Sequence, residues 1–266
     1  MLKNVKLEKP LAFFDLETTG TRYYIDRIVE FSILRIQPDG TEEYKNRRLN
    51  PEMPIQEGAT RKHGITNDDV KNEPVFRQLA KGIRDFMEGC DLCGFNILNF
   101  DIPLLEAEFE RAGVPFSRKD RRFIDLMTIY HAREPFNKDV PRSLGSAYQF
   151  YCGKAIVNAH SAEGDVKASA EILDGQLEKY PDLPRDIESL SALCLKGREN
   201  YVDLVGKLVW NGQEAALNFG KHAGVPLKEL VKQSPDYLQW MINQDFSPEV
   251  KIILEKALKN DFPVRE

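Results

Sequence analysis

The stretch Phe14-Asp15-Leu16-Glu17-Thr18-Thr19-Gly20 sets two carboxylates one residue apart in an apolar run that begins at Leu11. Leu11 to Glu17 reads as a buried strand ending in a turn. Side chains alternate along a strand, so positions 15 and 17 point to the same face. Two like charges at the end of a core strand raise each other's pKa and resist desolvation. The pair calls for a positive partner. Further acids and a histidine join it: Asp101 closes Asn96-Ile97-Leu98-Asn99-Phe100-Asp101, and His160 precedes Asp165 by five positions. Taken singly, each has a plain reading. Asp15 and Glu17 fit an exposed strand face, Asp101 and Asp165 fit helix caps, and His160 fits a satisfied polar residue. Taken together, four carboxylates at the ends of strands and helices suit two divalent cations such as Mg²⁺ or Mn²⁺, which take oxygen ligands and keep waters. Two such ions about 3.5–4 Å apart clamp the attacking and leaving oxygens of a phosphoryl displacement. A histidine of near-neutral pKa supplies a general base. Residues five apart on a helix lie about 140° apart, so His160 is expected on a loop and Asp165 in the first turn of the following helix.

The elements that must hold these groups follow from pattern. Leu11 to Glu17 is the first strand. Ile28 to Gln37 is a second, ending at Pro38-Asp39-Gly40, and Glu42 to Leu49 returns as its antiparallel partner. Phe76, Leu79, Ile83 and Phe86 recur at helical spacing within Val75 to Met87. Cys90 to Asn96 reads as a strand, and Asp101 to Ala112 as a helix with Asp101 at the N-cap and Pro103 in the first turn. Arg122 to Asp125 reads as a short strand. Helices follow over Ser143 to Tyr151, with Ser143 as N-cap, and over Asp165 to Lys179. Hairpin strands followed by alternating helix and strand predict an α/β fold, a mixed sheet flanked by helices. Two prolines in Lys179-Tyr-Pro-Asp-Leu-Pro-Arg185 mark a boundary. The expected organisation is a first domain over residues 1–180 and a small hairpin-plus-helices module over 196–266. In the module, Asn211-Gly212 between apolar runs signals a hairpin, and Ser234-Pro235 and Ser247-Pro248 each read as N-cap and first helical residue.

Composition excludes several classes. The 266 residues are 42% hydrophobic and 30% charged, as in a globular protein. The first residues hold no apolar stretch long enough for a signal peptide, and no apolar run is long enough to span a bilayer, so the cytoplasm is the expected compartment. A net charge of −5 argues against a large nonspecific nucleic-acid-binding face, though not against an enzyme that takes a strand end through metals. The basic clusters Arg47-Arg48, Arg61-Lys62, Arg118-Lys119 and Arg121-Arg122 read as solvated faces rather than phosphate tracks. Four cysteines are too few for a disulfide scaffold, and Cys90-Asp91-Leu92-Cys93 lacks the second pair of a zinc site, which leaves buried reduced thiols.

The ordered set of Phe14 to Gly20, Asn96 to Asp101, and Ala159-His160 with Asp165 resembles the three motifs of the DEDDh exonucleases. This is the DnaQ-like family of the epsilon proofreading subunit of bacterial DNA polymerase, within the ribonuclease-H-like superfamily. His63-Gly64-Ile65-Thr66 is similar to a segment between the family's first two motifs. Gly94-Phe95 departs from the histidine that relatives often carry before the asparagine, which bears on substrate contacts. Ser161 stands where the tyrosine variant of the superfamily carries its tyrosine. The resemblance implies a ribonuclease-H-like sheet of five strands and metal-dependent hydrolysis from a 3′ end, releasing nucleoside 5′-monophosphates. It implies that Asp15 bridges both metals, that Glu17 and Asp165 bind the first, and that Asp101 holds the second. His160 would deprotonate the attacking water. Leu16 and Thr18 sit where relatives hold the terminal nucleotide, Phe100 is placed to stack on a base, and Asn96 and His63 are further substrate-binding candidates. The implied partner is nucleic acid with a free 3′ end, single-stranded DNA first, with a polymerase or repair partner in view. The alternatives are an RNA 3′-end trimming exoribonuclease and a non-catalytic nucleic-acid-binding or polymerase-partner module. Phe219-Gly220-Lys221-His222 and Tyr237-Leu238-Gln239-Trp240 are similar to the tail of exonuclease-X-like proteins.

Overall fold

A computed structural model describes residues 2–135, 138, 141–156 and 162–265. The chain divides into two compact units, Met1–Thr21 with Asp26–Cys194, and Arg22–Ile25 with Leu195–Glu266.

In the first unit, β1 (Leu11–Thr18) is the middle of a five-stranded sheet of order β3-β2-β1-β4-β5. Its four leading residues, Leu11, Ala12, Phe13 and Phe14, are all buried, which a central strand covered on both faces requires. The strands β2 (Ile28–Ile36) and β3 (Glu42–Arg48) run antiparallel to their neighbours, whereas β4 (Asp91–Gly94) and β5 (Phe123–Asp125) run parallel. The sheet is therefore mixed, as expected from the hairpin-then-alternation pattern. Charged β3 lies at the edge, where its exposed acids and bases discourage pairing with another chain. The strand β4 stops two residues short of the Cys90 to Asn96 run. Its last residue, Gly94, lies so near β1 that a Cβ there would sit 2.8 Å from the Phe14 carbonyl oxygen. Asn96 then turns out of the strand at φ 66°, in the left-handed region.

Three helices, α1 (Glu57–His63), α2 (Asn67–Val70) and α3 (Phe76–Phe86), fill the connection from β3 to β4. The helix α4 (Asp101–Ala112) follows β4. Its N-cap is Phe100, and no side chain caps it; Asp101 is the first helical residue, not the cap. The Asp101 carboxylate reaches the Leu16 N–H of β1. Buried Glu108 of the same helix accepts the Ile28 N–H at 3.2 Å and pairs with Arg27 at 3.3 Å, which ties α4 to the start of β2. After β5 come α5 (Leu126–Arg133), α6 (Leu144–Cys152, capped by the Ser143 hydroxyl) and α7 (Ala162–Lys179). The helix α7 packs on β1, β2 and β4, with buried Val166, Ala168, Ala170, Ile172 and Leu173. Small alanines let it approach the sheet closely.

The proline-containing segment after α7 does not end this unit. It leads into α8 (Ile187–Leu195), where Ile187, Leu190 and Cys194 are buried. The Ser191 hydroxyl accepts the Phe123 N–H at 3.0 Å, and the Cys194 thiol takes the Asp125 N–H at 3.4 Å. A helix that satisfies the edge strand β5 in this way belongs to the sheet.

The second unit holds the hairpin β6 (Leu208–Asn211) and β7 (Glu214–Leu217) with helices α9 (Leu227–Gln233), α10 (Pro235–Ile242) and α11 (Pro248–Leu258). Asn211 pairs with Glu214, so the turn centres on Gly212-Gln213 and not on Asn-Gly; Gly212 supplies the positive φ of 64°. Ser247 caps α11 by accepting the Val250 N–H at 2.8 Å, whereas Ser234 precedes α10 without a side-chain cap bond. The core joins both strands and all three helices through Leu208, Leu217, Leu230, Leu238, Met241 and Leu254. The free cysteines Cys90 and Cys93 are buried in the first unit.

Candidate active site

The parallel strands β1 and β4 pair only over Leu11–Phe13 and Asp91–Cys93. Beyond Phe13, β1 continues with β2 alone, and the space left at its carboxyl end is where ligands bind in open α/β sheets. A cavity of about 370 Å³ opens there, lined by Asp15, Leu16 and Glu17 of β1, Asn96 and Phe100 of the β4–α4 loop, Asp101 of α4 and Asp165 of α7. Carboxylate oxygens of Asp15, Glu17 and Asp165 all lie within 4.8 Å of one another. Alternation along β1 places positions 15 and 17 on one face, and α7 brings Asp165 onto it from the first turn of the helix. Asp101 enters from α4, against the Leu16 N–H. Four acids from β1, α4 and α7 thus meet on one cavity.

Their electrostatics match. Burial and then the charge of Asp165 push the Asp15 carboxyl up to about 7. Burial and then Asp15 push Glu17 up to about 8. Asp101 is raised well above the ordinary carboxylate range, by burial first and Asp15 second. Glu30, paired with Glu17 across β1 and β2, adds to the repulsion and is held by Arg48 at 3.3 Å. Lys62, exposed at the end of α1, lines the same cavity and pulls Asp15 and Glu17 back down. Arg142 is the second cation among the described lining residues, and two positive charges do not balance four carboxylates. The donor set, hard oxygens converging on one point with too little positive charge, fits divalent cations of the Mg²⁺ or Mn²⁺ type.

The neighbouring backbone is fixed by groups that the sequence did not single out. Asp125, at the end of β5, is fully buried. Its carboxylate accepts N–H bonds from Asn96 at 3.0 Å, Leu98 at 3.1 Å, Met127 at 3.0 Å and Thr128 at 3.3 Å. It clamps the loop that carries Asn96, Phe100 and Asp101 to the start of α5. Under the Thr18-Thr19-Gly20 turn, buried Asp26 accepts from the Thr19 hydroxyl at 3.0 Å and from the Gln56 amide at 2.9 Å. A Cβ on Gly20 would lie 2.6 Å from that carboxylate, so only glycine fits.

Thr18 and His63 are not among the cavity-lining residues. The Thr18 hydroxyl donates to the Gly20 carbonyl at 2.6 Å. The His63 Nδ1 accepts the Ile65 N–H at 3.0 Å, which leaves Nε2 to donate to the Thr18 carbonyl at 3.2 Å. Burial lowers the pKa of this imidazole, consistent with a neutral ring that braces the turn behind the acids. His160, with Ala159 and Ser161 of its motif, lies outside the described residues. Within the basic clusters, Arg61 pairs with Glu57, Arg118 with Glu106 and Arg122 with Glu188, whereas Lys62 faces the acids.

Comparison with known proteins agrees with this geometry. The model of the exonuclease (RNase T) family matches residues 12–173, and that of the exodeoxyribonuclease X-like C-terminal family matches residues 217–246. The chain is 26% identical over 198 residues to a PolC-type DNA polymerase III of Caldanaerobacter subterraneus, covering 74% of this chain and 14% of that protein. It is also 26% identical over 200 residues to the 3′-5′ exonuclease DinG of Staphylococcus aureus, covering 74% of this chain and 22% of that protein. The chain thus spans less than a quarter of the length of these curated relatives. Among solved structures, the zinc-bound E. coli exonuclease I complex with single-stranded DNA superposes with a TM-score of 0.58 at 22% identity, over 66% of this chain and 42% of that one. Exonuclease I with a dT13 oligonucleotide covers 89% of this chain and 60% of its own, with a TM-score of 0.58 and 19% identity. These likenesses identify the ribonuclease-H-like fold. With the family match extending over the whole sheet and its four acids, the chain belongs to the DEDD exonuclease family.

Proposed function

We propose that the first unit is a 3′-5′ exonuclease that removes nucleoside 5′-monophosphates from single-stranded DNA. The observation that carries this reading is the meeting of Asp15, Glu17, Asp101 and Asp165 on one cavity beside Phe100 and Leu16. Asp15, Glu17 and Asp165 would hold one divalent cation, and Asp15 and Asp101 a second. Bound there, such ions would neutralise the scissile phosphate and favour ionisation of the attacking water. The chain's own groups do the rest. Leu16 and Phe100 offer an apolar surface and a ring to the terminal base. Asn96, held in its left-handed backbone by Asp125, presents its amide at the rim. Lys62 supplies a cation to the phosphate, a part the sequence alone did not suggest. His160, assigned by its place in the motif, takes the proton of the attacking water. Water attacks phosphorus, the bond to the 3′ oxygen of the preceding nucleotide breaks, and a shortened strand with a new 3′ hydroxyl remains. The likeness to a segment of a PolC-type polymerase makes a polymerase or repair complex in the cytoplasm the working context of this reading.

The test is digestion of matched DNA and RNA oligonucleotides, each labelled at either end, with Mg²⁺, with Mn²⁺ or with chelator. Stepwise loss of single nucleotides from the 3′ end of DNA, dependent on the metal, is the expected result. Faster trimming of RNA would reassign the substrate to RNA 3′ ends. No cleavage under any condition would leave the non-catalytic binding module as the reading.

A further inference from the structure

The second unit carries an aromatic arrangement that its own core does not use. The helix α10 already buries Leu238 and Met241 completely. Tyr237 packs against that core, but among the described residues Trp240 is not one of the side chains packed on it. Trp240 is 49% exposed, and it stacks on Tyr237 with ring centroids 5.4 Å apart and planes at 30°. The Lys221 ammonium lies 5.5 Å from the centre of the Tyr237 ring, and the His222 ring meets Tyr237 edge-on at 4.6 Å. Trp240 is thus left half in water, stacked on a tyrosine that also carries a cation.

The loop that presents the cations is tied by backbone hydrogen bonds. The Gly224 N–H returns to the Leu217 carbonyl at 2.7 Å, Val225 to His222 at 3.1 Å, and Ala223 to Gly220 at 3.2 Å. Gly220 has φ +66°, and a Cβ there would sit 3.3 Å from the Tyr237 hydroxyl, so glycine allows the loop to lie against the ring. Such preorganisation lowers the ordering penalty of a binding surface. An exposed ring stack with an ammonium beside it is the chemistry that grips an unpaired strand: every base offers a π face, and the phosphate meets the lysine.

We propose that Trp240, Tyr237 and Lys221 form a binding platform for single-stranded nucleic acid, with a base on Trp240 and a phosphate on Lys221. The choice of nucleic acid rests on the exonuclease reading above. The platform and the nuclease unit belong to one chain.

The experiment uses the full chain in EDTA, with binding of a fluorescein-labelled oligothymidylate read by anisotropy. Trp240→Ala is expected to weaken binding by about 5- to 150-fold, the usual loss of one base stack, while Trp240→Phe keeps most of the affinity. Lys221→Ala is expected to reduce the slope of log affinity against log salt by about 0.7, one phosphate contact to a single strand. Wild-type affinity and salt slope in Trp240→Ala and Lys221→Ala would overturn the proposal and leave the platform to a protein partner. Should Trp240→Ala lower the melting temperature, the exposed lysine decides: an unchanged salt slope in Lys221→Ala then sinks the platform. A wild-type chain that binds the strand through these residues yet never cleaves it with Mg²⁺ or Mn²⁺ would refute the exonuclease reading and support the platform.

Discussion

Asp15 sits where repulsion is greatest, between Glu17, Asp165 and Asp101. Asp15→Ala should abolish turnover and weaken divalent-ion binding, as titration calorimetry and digestion assays would read; near-wild-type activity at saturating Mg²⁺ would refute the ligand assignment. The raised carboxyls also set a pH dependence. Asp15 shifts from 3.8 to about 7 and Glu17 from 4.5 to about 8, so between these limits the folded chain holds protons that the unfolded chain has released. Stability in chelator contributed by these groups is therefore present at low pH and lost as pH rises toward 8. Thermal melts in EDTA at about pH 5 and pH 8.5 should show this loss, and Asp15→Asn should reduce it. An equal loss in the variant would place its origin elsewhere. His160→Ala should keep metal and substrate affinity while hydrolysis falls by about 10²–10⁴, with a residual rate that rises with pH. Loss of metal binding instead would make His160 a ligand.

At the scale of elements, the site depends on how the loop after β4 is held. Asp125→Asn places an NH₂ group where backbone N–H groups already point, on one side of the carboxylate or the other. It should destabilise the first unit by about 2–3 kcal/mol, the loss of charge-assisted bonds together with a buried mismatch, measured by urea unfolding. A change within a few tenths would mean that the clamp is dispensable. The strands and most helices were legible because burial marks the sequence: a largely apolar, almost wholly buried run for β2, and apolar residues recurring every three or four positions for α3. The acids were legible because two of them interrupt a core strand. Asp125 was not, because an acid ending a short strand resembles an ordinary helix cap, and its reach to Asn96 and Leu98 appears only when β4 and β5 lie side by side. Asp101 was misplaced by one position for a related reason. Its sequence context suits a cap, but the turn at Asn96 and Phe100 starts the helix earlier. Thr18 and His63, singled out as substrate contacts, are also joined to each other, a bond between distant positions that no sequence pattern displays.

For the whole molecule, the prolines near position 181 suggested an edge that the packing of α8 moves. A chain ending after Leu195 should fold and hydrolyse short oligonucleotides, since it keeps Ser191 and Cys194 on β5. A chain ending at Lys179 should melt earlier, because the Phe123 and Asp125 N–H groups lose those partners and the apolar face of α8 is gone. Equal melting temperatures for the two would show that α8 adds nothing to the first unit. A sequence reader sees prolines as punctuation, but only the pairing of α8 with an edge strand reveals on which side of the punctuation a helix belongs.

The pairing of Glu17 opposite Glu30, a few ångströms from Asp15, has a consequence for descent. A change of Asp15 or Glu17 to its amide relieves repulsion and so favours the folded state in the absence of metal. Under the proposed exonuclease reading, selection for cleavage opposes that drift. Duplicates of this gene released from such selection should lose their acids first and their architecture last. Their descendants would be sturdy, silent nucleases, still shaped to accept a strand end and unable to cut it.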